Sequence, residues 1–468
     1  MEKNYIRYPL YITCLVVMFL LLLQFVPEKT VKKLDIRKID ILSDIRKNTS
    51  MIADISLPVL LPSPPPPRQD IPCPPGMVCF EDYSENNDGL DNFFKALGST
   101  SKKTVRVAFF GDSYIEGDIF SADLRSNFQS KYGGKGVGLM PLSSHIASFR
   151  KTIKHSFSGW NSRSIIDSKD YSTMGISGYC FRPDKNAWVK YSGVKMPHLE
   201  SVEQASLVYY LPEGNATVSY QINEEKESHI VNLQSSPRIA KYDVTADSIG
   251  TIQFVFLSDN RNLCVYGVSL QNKSGVIVDN FSLRGISGTT LKLLSENILK
   301  QTDSLLDYDL IILQYGLNVM SANQKNYSSY QKGMQETVEY LKKCFPESSI
   351  LLLSVGDRSM NKNSGYETMP GVSAMVLCQQ TVCAETGIVF WNLFEAMGGN
   401  GSMVEMVKTN PPKANKDYTH LNFEGGKYLG EILFKSIEFE KKRYDKIGKN
   451  RKLRRSNINI KENTKHAY

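Results

Sequence analysis

The sequence lacks the spacings that mark metal and nucleotide sites. It has no Cys-x-x-Cys pair and no His-Glu-x-x-His, which excludes the common zinc sites that use them. The Gly-rich stretch 133–138 lacks the Gly-Lys-Ser/Thr of a P-loop and the spacing of a dinucleotide-binding loop, so we interpret it as a turn that could line a site. No Gly-x-Ser-x-Gly occurs, which excludes the nucleophile elbow of α/β-hydrolases. The sequence therefore predicts neither a metal nor a cofactor.

An excess of charge is also lacking, and histidine is scarce. The formal net charge is +8 over 468 residues, and part of the excess lies in a basic tail at 441–468. This tail could contact an anionic lipid or polymer, but a solvated end is the simpler interpretation. Nothing in the charge pattern predicts a nucleic-acid partner. The chain has only six His, so few residues can act as a catalytic base near neutral pH.

The N-terminus predicts a membrane anchor. Lys3 and Arg7 precede an apolar run at 10–26, which is close to the roughly 20 residues that span a bilayer. No small-x-small cleavage site follows the run, so residues 1–26 are predicted to form an uncleaved signal anchor, a transmembrane helix. Charge alone leaves its orientation open, because lysines follow it at positions 29, 32 and 33.

Residues 27–92 are predicted to form a stalk. The stretch 61–67 is Pro-rich and favours the extended polyproline II helix. Cys73 and Cys79 flank a Pro-Pro-Gly turn, which would suit a small disulfide loop outside the cytoplasm, whereas Cys378 and Cys383 have the pattern of buried helix residues. Cysteine usage alone leaves the compartment open.

Alternating apolar strands and amphipathic helices predict an α/β fold. Short apolar runs bounded by turn residues are typical of buried parallel strands, and they occur at 105–110, 275–278, 310–313, 350–354 and 388–391. Helical spacing occurs at 120–128, 289–300, 327–344, 372–385 and 422–437. This pattern predicts a flavodoxin-like three-layer α/β/α domain with about five parallel strands, split between 93–142 and 273–440.

The segment between these halves, 143–272, has a different pattern. Period-two alternation recurs at 217–222, 251–256 and 265–270, with turn residues between the runs. This is typical of an antiparallel β-sandwich or jelly roll. We therefore interpret the segment as a β domain inserted into the α/β domain.

The first strand of the sheet ends at a candidate nucleophile. Gly111-Asp112-Ser113 directly follows the strand, and open α/β sheets place their active sites at that edge. Ser113 could expose its hydroxyl there and use its own N–H as an anion donor. For this motif alone, a helix-capping serine in a turn is the simpler interpretation.

A candidate base lies near the end of the α/β domain. Within that domain, His420 is the one His near a predicted strand-end loop, and Asp417 precedes it by three residues. An Asp at this spacing can bind Nδ1 and orient Nε2 toward a serine, as in a Ser-His-Asp triad. A surface Asp-His pair that caps a helix is the alternative.

Two further loops offer donors for an oxyanion. Gly288 opens a helix after the second strand, and Asn318 follows the third strand in Gly316-Leu317-Asn318. Each loop is common by itself. Their arrangement with Ser113 and with the pair Asp417–His420 carries the inference, because all four groups fall at the ends of elements of one predicted sheet.

These four blocks, in this order, resemble the SGNH (GDSL-like) hydrolase family across both halves of the α/β domain. The resemblance implies Ser113 as the nucleophile, His420 as the base and Asp417 as the residue that orients it. It also implies an oxyanion hole formed by the N–H groups of Ser113 and Gly288 and by the Asn318 amide. Tyr114 and Val319 depart from the Leu and Asp usual in the family, and neither departure removes a catalytic group.

The stretch 111–118 and the Gly-rich loop are similar to the bacterial peptidoglycan O-acetylesterase branch, which also carries a carbohydrate-binding-like β domain. This implies an extracytoplasmic or periplasmic esterase that removes O-acetyl or other short acyl groups from acetylated polysaccharide or peptidoglycan through an acetyl-enzyme. Two alternatives stay open. One is an O-acetyltransferase that passes the group to a sugar hydroxyl and works with a membrane-bound acyltransferase partner. The other is a non-catalytic glycan-binding envelope protein.

Overall fold

The computed structural model describes Tyr11 and residues 72–465, except 224, 259, 323, 363 and 364, and side chains are described only to residue 447. Within this part of the chain, no helix is both long and apolar enough to cross a membrane. The predicted anchor at 1–26, apart from Tyr11, and the Pro-rich stretch at 61–67 lie outside the described residues.

Strands and helices alternate in the outer parts of the described chain, and strands alone fill its middle. The strands are β1 (Glu81–Asp82), β2 (Thr104–Gly111), β3 (Gly138–Met140), β4 (Lys154–Ser164), β5 (Tyr179–Ser192), β6 (Val202–Tyr210), β7 (Asn215–Ile222), β8 (His229–Gln234), β9 (Ala240–Ile249), β10 (Thr251–Phe256), β11 (Cys264–Gln271), β12 (Gly275–Ser282), β13 (Tyr308–Gln314), β14 (Ser349–Leu353), β15 (Ser359–Lys362), β16 (Gly365–Thr368) and β17 (Val389–Trp391). The helices are α1 (Asp91–Leu97), α2 (Ser121–Tyr132), α3 (Glu296–Leu306), α4 (Ser328–Cys344), α5 (Gly371–Thr386), α6 (Leu393–Met397), α7 (Ser402–Lys408) and α8 (Phe423–Lys465), with 3₁₀ turns at Glu116–Asp118 and Thr289–Leu293.

A six-stranded sheet forms the centre of the α/β part, in the order β1-β17-β14-β13-β2-β12. The pairs from β17 to β12 are all parallel, and β1 adds an antiparallel edge. The prediction of about five parallel strands is therefore confirmed. The strand sequences are continuous apolar runs because helices cover both faces of the sheet, so few strand side chains contact water.

Helices pack in two groups around this sheet. In one group, Phe128 of α2 contacts Phe93 of α1 and Phe434 of α8, with ring centroids 6.0 and 5.2 Å apart. In the other, α4 packs against α3 and α5. Helix α8 continues to Lys465, beyond the end predicted at 437 and into the predicted basic tail. The pair Lys441–Asp445, at i and i+4, is one of the contacts that favour helix there.

The fold begins before the boundary predicted at residue 93. Cys73 and Cys79 form a disulfide, the Trp391 indole donates to Val78 O (3.2 Å), and β1 pairs with β17. Helix α1 then buries Phe93 and Phe94. The last part of the predicted stalk thus belongs to the sheet, and a strand of two residues is too short to show a period-two pattern.

Segment 143–272 forms most of a second sheet. Its nine strands follow the order β8-β7-β10-β5-β11-β6-β9, with β3 added to β11 and β4 added to β5, and the pairs are antiparallel. A disulfide joins Cys180 of β5 to Cys264 of β11. The predicted antiparallel character is present. The predicted division into two packed sheets is not confirmed, because the strands are hydrogen-bonded into one branched sheet.

A buried polar network joins the two sheets. Arg106 of β2 donates to both carboxylate oxygens of Asp279 on β12 (3.0 and 2.7 Å) and to Ser269 and Gln271 of β11. The Tyr308 hydroxyl donates to the same carboxylate (2.7 Å). Both charged side chains are at most 2% exposed. Loss of one partner would leave a buried charge without compensation, so the contacts of Arg106 with Ser269 and Gln271 help to fix how the inserted sheet meets the α/β part.

Candidate active site

Ser113 lies where β2, the strand beside edge strand β12 of the first sheet, ends. Strand β2 runs between β12 and β13, and Ser113 follows it by two residues. A Cβ at Gly111 would lie 2.8 Å from Ile115 and 3.0 Å from Gln314 O, so the tight turn into the 3₁₀ segment requires glycine. Among the described residues, the Ser113 N–H has no hydrogen-bond acceptor. The amide of Ser113 is therefore free to face a substrate.

The loop between α7 and α8 carries Asp417 and His420. Asn415 N donates to His420 O (2.9 Å), Tyr418 N donates to Asn415 O (3.0 Å), and Ala414 and Leu421 form an isolated antiparallel bridge. The Asn422 side chain then accepts from Gly425 N (3.1 Å) and begins α8. This closed loop holds His420 in front of the end of β2.

The structure brings Ser113, His420 and Asp417 into one hydrogen-bonded chain. His420 Nε2 lies 2.9 Å from Ser113 Oγ, and His420 Nδ1 lies 2.8 Å from Asp417 Oδ2. Asp417 Oδ1 also accepts from the N–H groups of Thr419 and His420 (2.9 and 3.0 Å). Partial burial acts to raise the pKa of Asp417, but these hydrogen bonds outweigh it and hold the pKa below its usual value. Asp417 therefore stays a carboxylate at neutral pH and can keep a proton on Nδ1, which leaves Nε2 free to take the proton of Ser113.

A hairpin that the sequence did not reveal supports this loop. Strands β15 and β16 pair antiparallel, Ser359 N donates to Tyr418 O (2.9 Å), and the Tyr366 ring stacks on Tyr418 with centroids 3.6 Å apart. Tyr418 has a φ of +53°, which is uncommon for a side chain of this size. The hairpin covers the strained residue between the base and its carboxylate. Strands of four residues, most of them exposed, give too short a signal to predict the hairpin.

Gly288 offers a second backbone donor. It has a φ of +88° at the start of the 3₁₀ turn, and a Cβ there would lie 2.5 Å from the Tyr315 ring. Its N–H has no acceptor among the described residues. The predicted role of Gly288 in an oxyanion hole is compatible with this free donor.

Asn318 differs from expectation in one respect. Its amide nitrogen donates to Asp112 Oδ2 and to Ile286 O, both at 3.0 Å, so both amide hydrogens already have acceptors. Burial raises the pKa of Asp112 to about 7, against the opposing effect of the hydrogen bonds from Tyr114 N and Asn318. An oxyanion could receive a hydrogen bond from Asn318 only by replacing or sharing one of these two acceptors.

Two acidic residues of stretch 111–118, which no sequence motif assigned to a role, connect Ser113 to its surroundings. Glu116 accepts from Arg284 Nε (3.1 Å), which links the turn after β2 to the loop that carries Gly288. Buried Asp118 accepts from Arg125 (3.2 Å) and Thr152 (2.5 Å), and Arg150 lies 3.5 Å from it. These contacts fix the loop 141–152 beside the edge of the sheet.

The Gly-rich loop 133–138 does not lie at this edge, so the interpretation that it could line the site is wrong. Gly133 O accepts from Val276 N (2.9 Å) near the first residue of β12. Because β2 and β12 are parallel, that contact lies at the opposite end of the strands from Ser113. The glycines instead allow close approach where the chain enters the inserted sheet, since a Cβ at Gly134 would lie 2.7 Å from Val276 backbone atoms.

Comparisons with known proteins identify the fold. No family model and no curated protein matches the chain. Among solved structures, a peptidoglycan O-acetylesterase matches with a TM-score of 0.64 at 18% identity, over 78% of this chain and 99% of that one. Two solved structures are more remote. One is a family two carbohydrate esterase from Cellvibrio japonicus, with a TM-score of 0.26 and 9% identity over 62% of this chain and 99% of that one. The other is a salicylyl-acyltransferase from a tetracycline biosynthetic pathway, with a TM-score of 0.29 and 12% identity over 62% of this chain and 96% of that one. The chain has the fold of the peptidoglycan O-acetylesterase structure, which confirms the predicted resemblance at the level of fold.

Proposed function

We propose that this protein is a serine esterase that removes O-acetyl or other short acyl groups from a cell-envelope polysaccharide. The observation that carries the proposal is the hydrogen-bonded chain Asp417–His420–Ser113 at the carboxyl edge of the sheet. The fold shared with a peptidoglycan O-acetylesterase supports the polysaccharide as substrate.

The geometry suits acyl transfer in two steps. His420 Nε2 takes the proton of Ser113 as Oγ attacks the acyl carbon, and the N–H groups of Ser113 and Gly288 are placed to stabilise the oxyanion. His420 then returns the proton to the leaving sugar hydroxyl, and an acyl-enzyme remains on Ser113. A water molecule then gives a proton to His420 as its oxygen attacks the acyl carbon. The bond from the acyl carbon to Ser113 Oγ breaks, His420 returns the proton to Oγ, and the carboxylic acid leaves with the Ser113 hydroxyl regenerated.

The test is acetate release by the full chain, purified in detergent, from O-acetylated peptidoglycan. A soluble sugar acceptor is added in increasing amounts, and both free acetate and acetylated acceptor are quantified. Acetate as the main product at every acceptor concentration is expected for an esterase. Acetylated acceptor as the main product would establish the transferase alternative. If no acetyl ester gave any product, the non-catalytic glycan-binding protein would be the alternative that remains.

Asn318→Ala tests whether the Asn318 amide exchanges Asp112 or Ile286 O for the oxyanion during the reaction. Such an exchange predicts a fall in kcat of about 10²-fold, because one donor to an oxyanion contributes roughly 3 kcal/mol in the transition state. KM should change little, since the charge on the oxygen develops only as the bond forms. Single-turnover acylation by 4-nitrophenyl acetate measures this directly. Asn297→Ala on the exposed surface of α3 is the matched control. An unchanged acylation rate would show that Asn318 only holds Asp112 and Ile286 in place.

We further propose that residues 1–26 anchor the protein and that the fold lies outside the cytoplasm, with the segment before residue 72 as the stalk. The disulfides Cys73–Cys79 and Cys180–Cys264 support this, because disulfides persist mainly in oxidising compartments. A Cys introduced at Ser63, in a chain with Cys73 and Cys79 replaced, is expected to react with an impermeant thiol reagent in intact cells. Reaction only after the membrane is broken would place the fold in the cytoplasm and end the envelope-substrate proposal.

A further inference from the structure

A cavity of about 340 Å³ lies between the loop 141–150, the inserted sheet and the end of β12. Ser143, Ser162, Ser177, Tyr179 and Ser282 are among the residues that line it. Its volume is at the lower end of the roughly 300–1,000 Å³ found for sites of small ligands. None of the three triad residues lines this cavity.

The cavity lies beside the candidate active site. Ser282 pairs with Gly111 across neighbouring parallel strands, and Leu283 N donates to Gly111 O (2.9 Å). Ser113 follows Gly111 by two residues, so strand spacing puts Ser282 on the order of 10 Å from Ser113. On the same side, the ring of His145 lies 3.8 Å from the Glu116 carboxylate. A polymer whose ester is at Ser113 would have a neighbouring sugar residue near this cavity.

Hydroxyl groups without protein partners surround the cavity. Within the described residues, no hydrogen bond engages the side-chain hydroxyls of Ser143, Ser162, Ser177, Ser282 and Tyr179. Burial, followed by the carboxylates of Asp167 and Glu116, raises the pKa of Tyr179, so its hydroxyl keeps its proton. Each of these groups can both donate and accept, as the hydroxyls of a sugar do.

The lining combines one cation with aromatic rings. Among the described residues, no carboxylate lines the cavity, and the guanidinium of Arg150 lies 3.5 Å from Asp118, which also pairs with Arg125. Arg150 can therefore donate to a hydroxyl or ring oxygen of a ligand. The aromatic rings of Phe157 and Phe281 also line the cavity, and such rings can pack against the apolar face of a sugar. The lining thus suits a hydroxyl-rich ring.

We propose that this cavity is a subsite that binds a sugar residue of the polymer, next to the residue whose ester is attacked at Ser113. The inserted sheet then supplies part of the substrate site through Ser162 and Tyr179. This inference rests on the proposed esterase function.

Filling the cavity tests the subsite. Ser162 is exposed on β4 and makes no side-chain hydrogen bond, so Ser162→Phe should fold and occupy the space of the sugar. With O-acetylated glycan strands from peptidoglycan, kcat/KM is expected to fall about tenfold or more, mainly through KM, which corresponds to the loss of one or two hydrogen bonds. With 4-nitrophenyl acetate, which has no sugar, the rate should stay within about twofold, because Ser113 and His420 are unchanged. Ser156→Phe, an exposed serine of the same strand that does not line the cavity, is the matched control.

The remaining outcomes separate this inference from the proposed function. Equal kcat/KM on the glycan for Ser162→Phe and wild type, with 4-nitrophenyl acetate hydrolysed by both, would overturn the subsite and leave the esterase intact. If wild type hydrolysed no ester, calorimetric binding of de-O-acetylated glycan strands would decide instead. Binding lost in Ser162→Phe but kept in Ser156→Phe would support the subsite, and equal binding would overturn it. If Ser162→Phe misfolds by circular dichroism, the double variant Ser162→Ala, Tyr179→Phe replaces it, and an unchanged glycan KM refutes the proposal.

Discussion

Replacing Ser113 by alanine is expected to lower kcat on an acetyl ester by about 10⁴-fold or more while the fold is retained, because triad nucleophiles elsewhere have effects of this size. The hydroxyl of Ser113 makes one described hydrogen bond, to His420 Nε2 at 2.9 Å, so its loss removes the nucleophile and little else. Initial rates with 4-nitrophenyl acetate and circular dichroism spectra of both proteins measure the two parts of this expectation.

The chain contains a close control for this variant. Ser130 Oγ lies 3.0 Å from His198 Nε2, so a second Ser-His pair exists with nearly the same geometry, at an exposed position on α2. Ser130→Ala should leave kcat within about twofold of wild type, since it touches no part of the triad. Activity of Ser113→Ala within about tenfold of wild type would remove Ser113 from the role of nucleophile.

Replacing His420 by alanine is expected to have an effect of similar size, on the order of 10⁴-fold or more in kcat. Without His420, no group accepts the proton of Ser113, and the contact with Asp417 Oδ2 is lost as well. Because the two residues act as one unit, the kcat of the double variant Ser113→Ala, His420→Ala should lie within about tenfold of the kcat of the slower single variant. His198→Ala is the matched control, since His198 contacts a serine but, within the described part of the chain, no carboxylate of the kind that Asp417 presents to His420.

A loss of kcat in the double variant equal to the product of the two single losses would contradict the proposed unit. It would mean that Ser113 and His420 assist the reaction independently, and the 2.9 Å contact between them would then have no mechanistic meaning.

The positions of the parallel strands could be predicted from the sequence, because a strand that is buried on both faces of its sheet requires continuous apolar residues. The run predicted at 310–313 lies within β13, and that at 105–110 within β2. Ser113 and the pair Asp417–His420 were also found, since local motifs place them at strand and helix ends. The structure brings the three together across a separation of more than 300 residues.

Features that depend on pairing over long distances were not predictable in the same way. The disulfide between Cys180 and Cys264 spans 84 residues, and sequence alone does not specify which cysteines pair. The hydrogen bonds that occupy the Asn318 amide come from Asp112 and Ile286, which belong to two other loops. The network around Arg106 likewise draws on three strands besides its own, and no local pattern marks a charge as buried.

The way the chain enters and leaves the inserted sheet has a consequence for how a long polymer is recognised. Strand β3 leads in and β11 leads out, and the two are paired, with Val268 opposite Met140. A module on a single flexible linker raises the effective concentration of its partner site, and the gain depends on linker length. Here two adjacent crossings and the hydrogen bonds from Arg106 of β2 to Ser269 and Gln271 of β11 replace such a linker. Under the proposed function, a glycan strand would therefore meet a surface of fixed spacing, and selectivity would follow the repeat distance of the polymer instead of the reach of a tether.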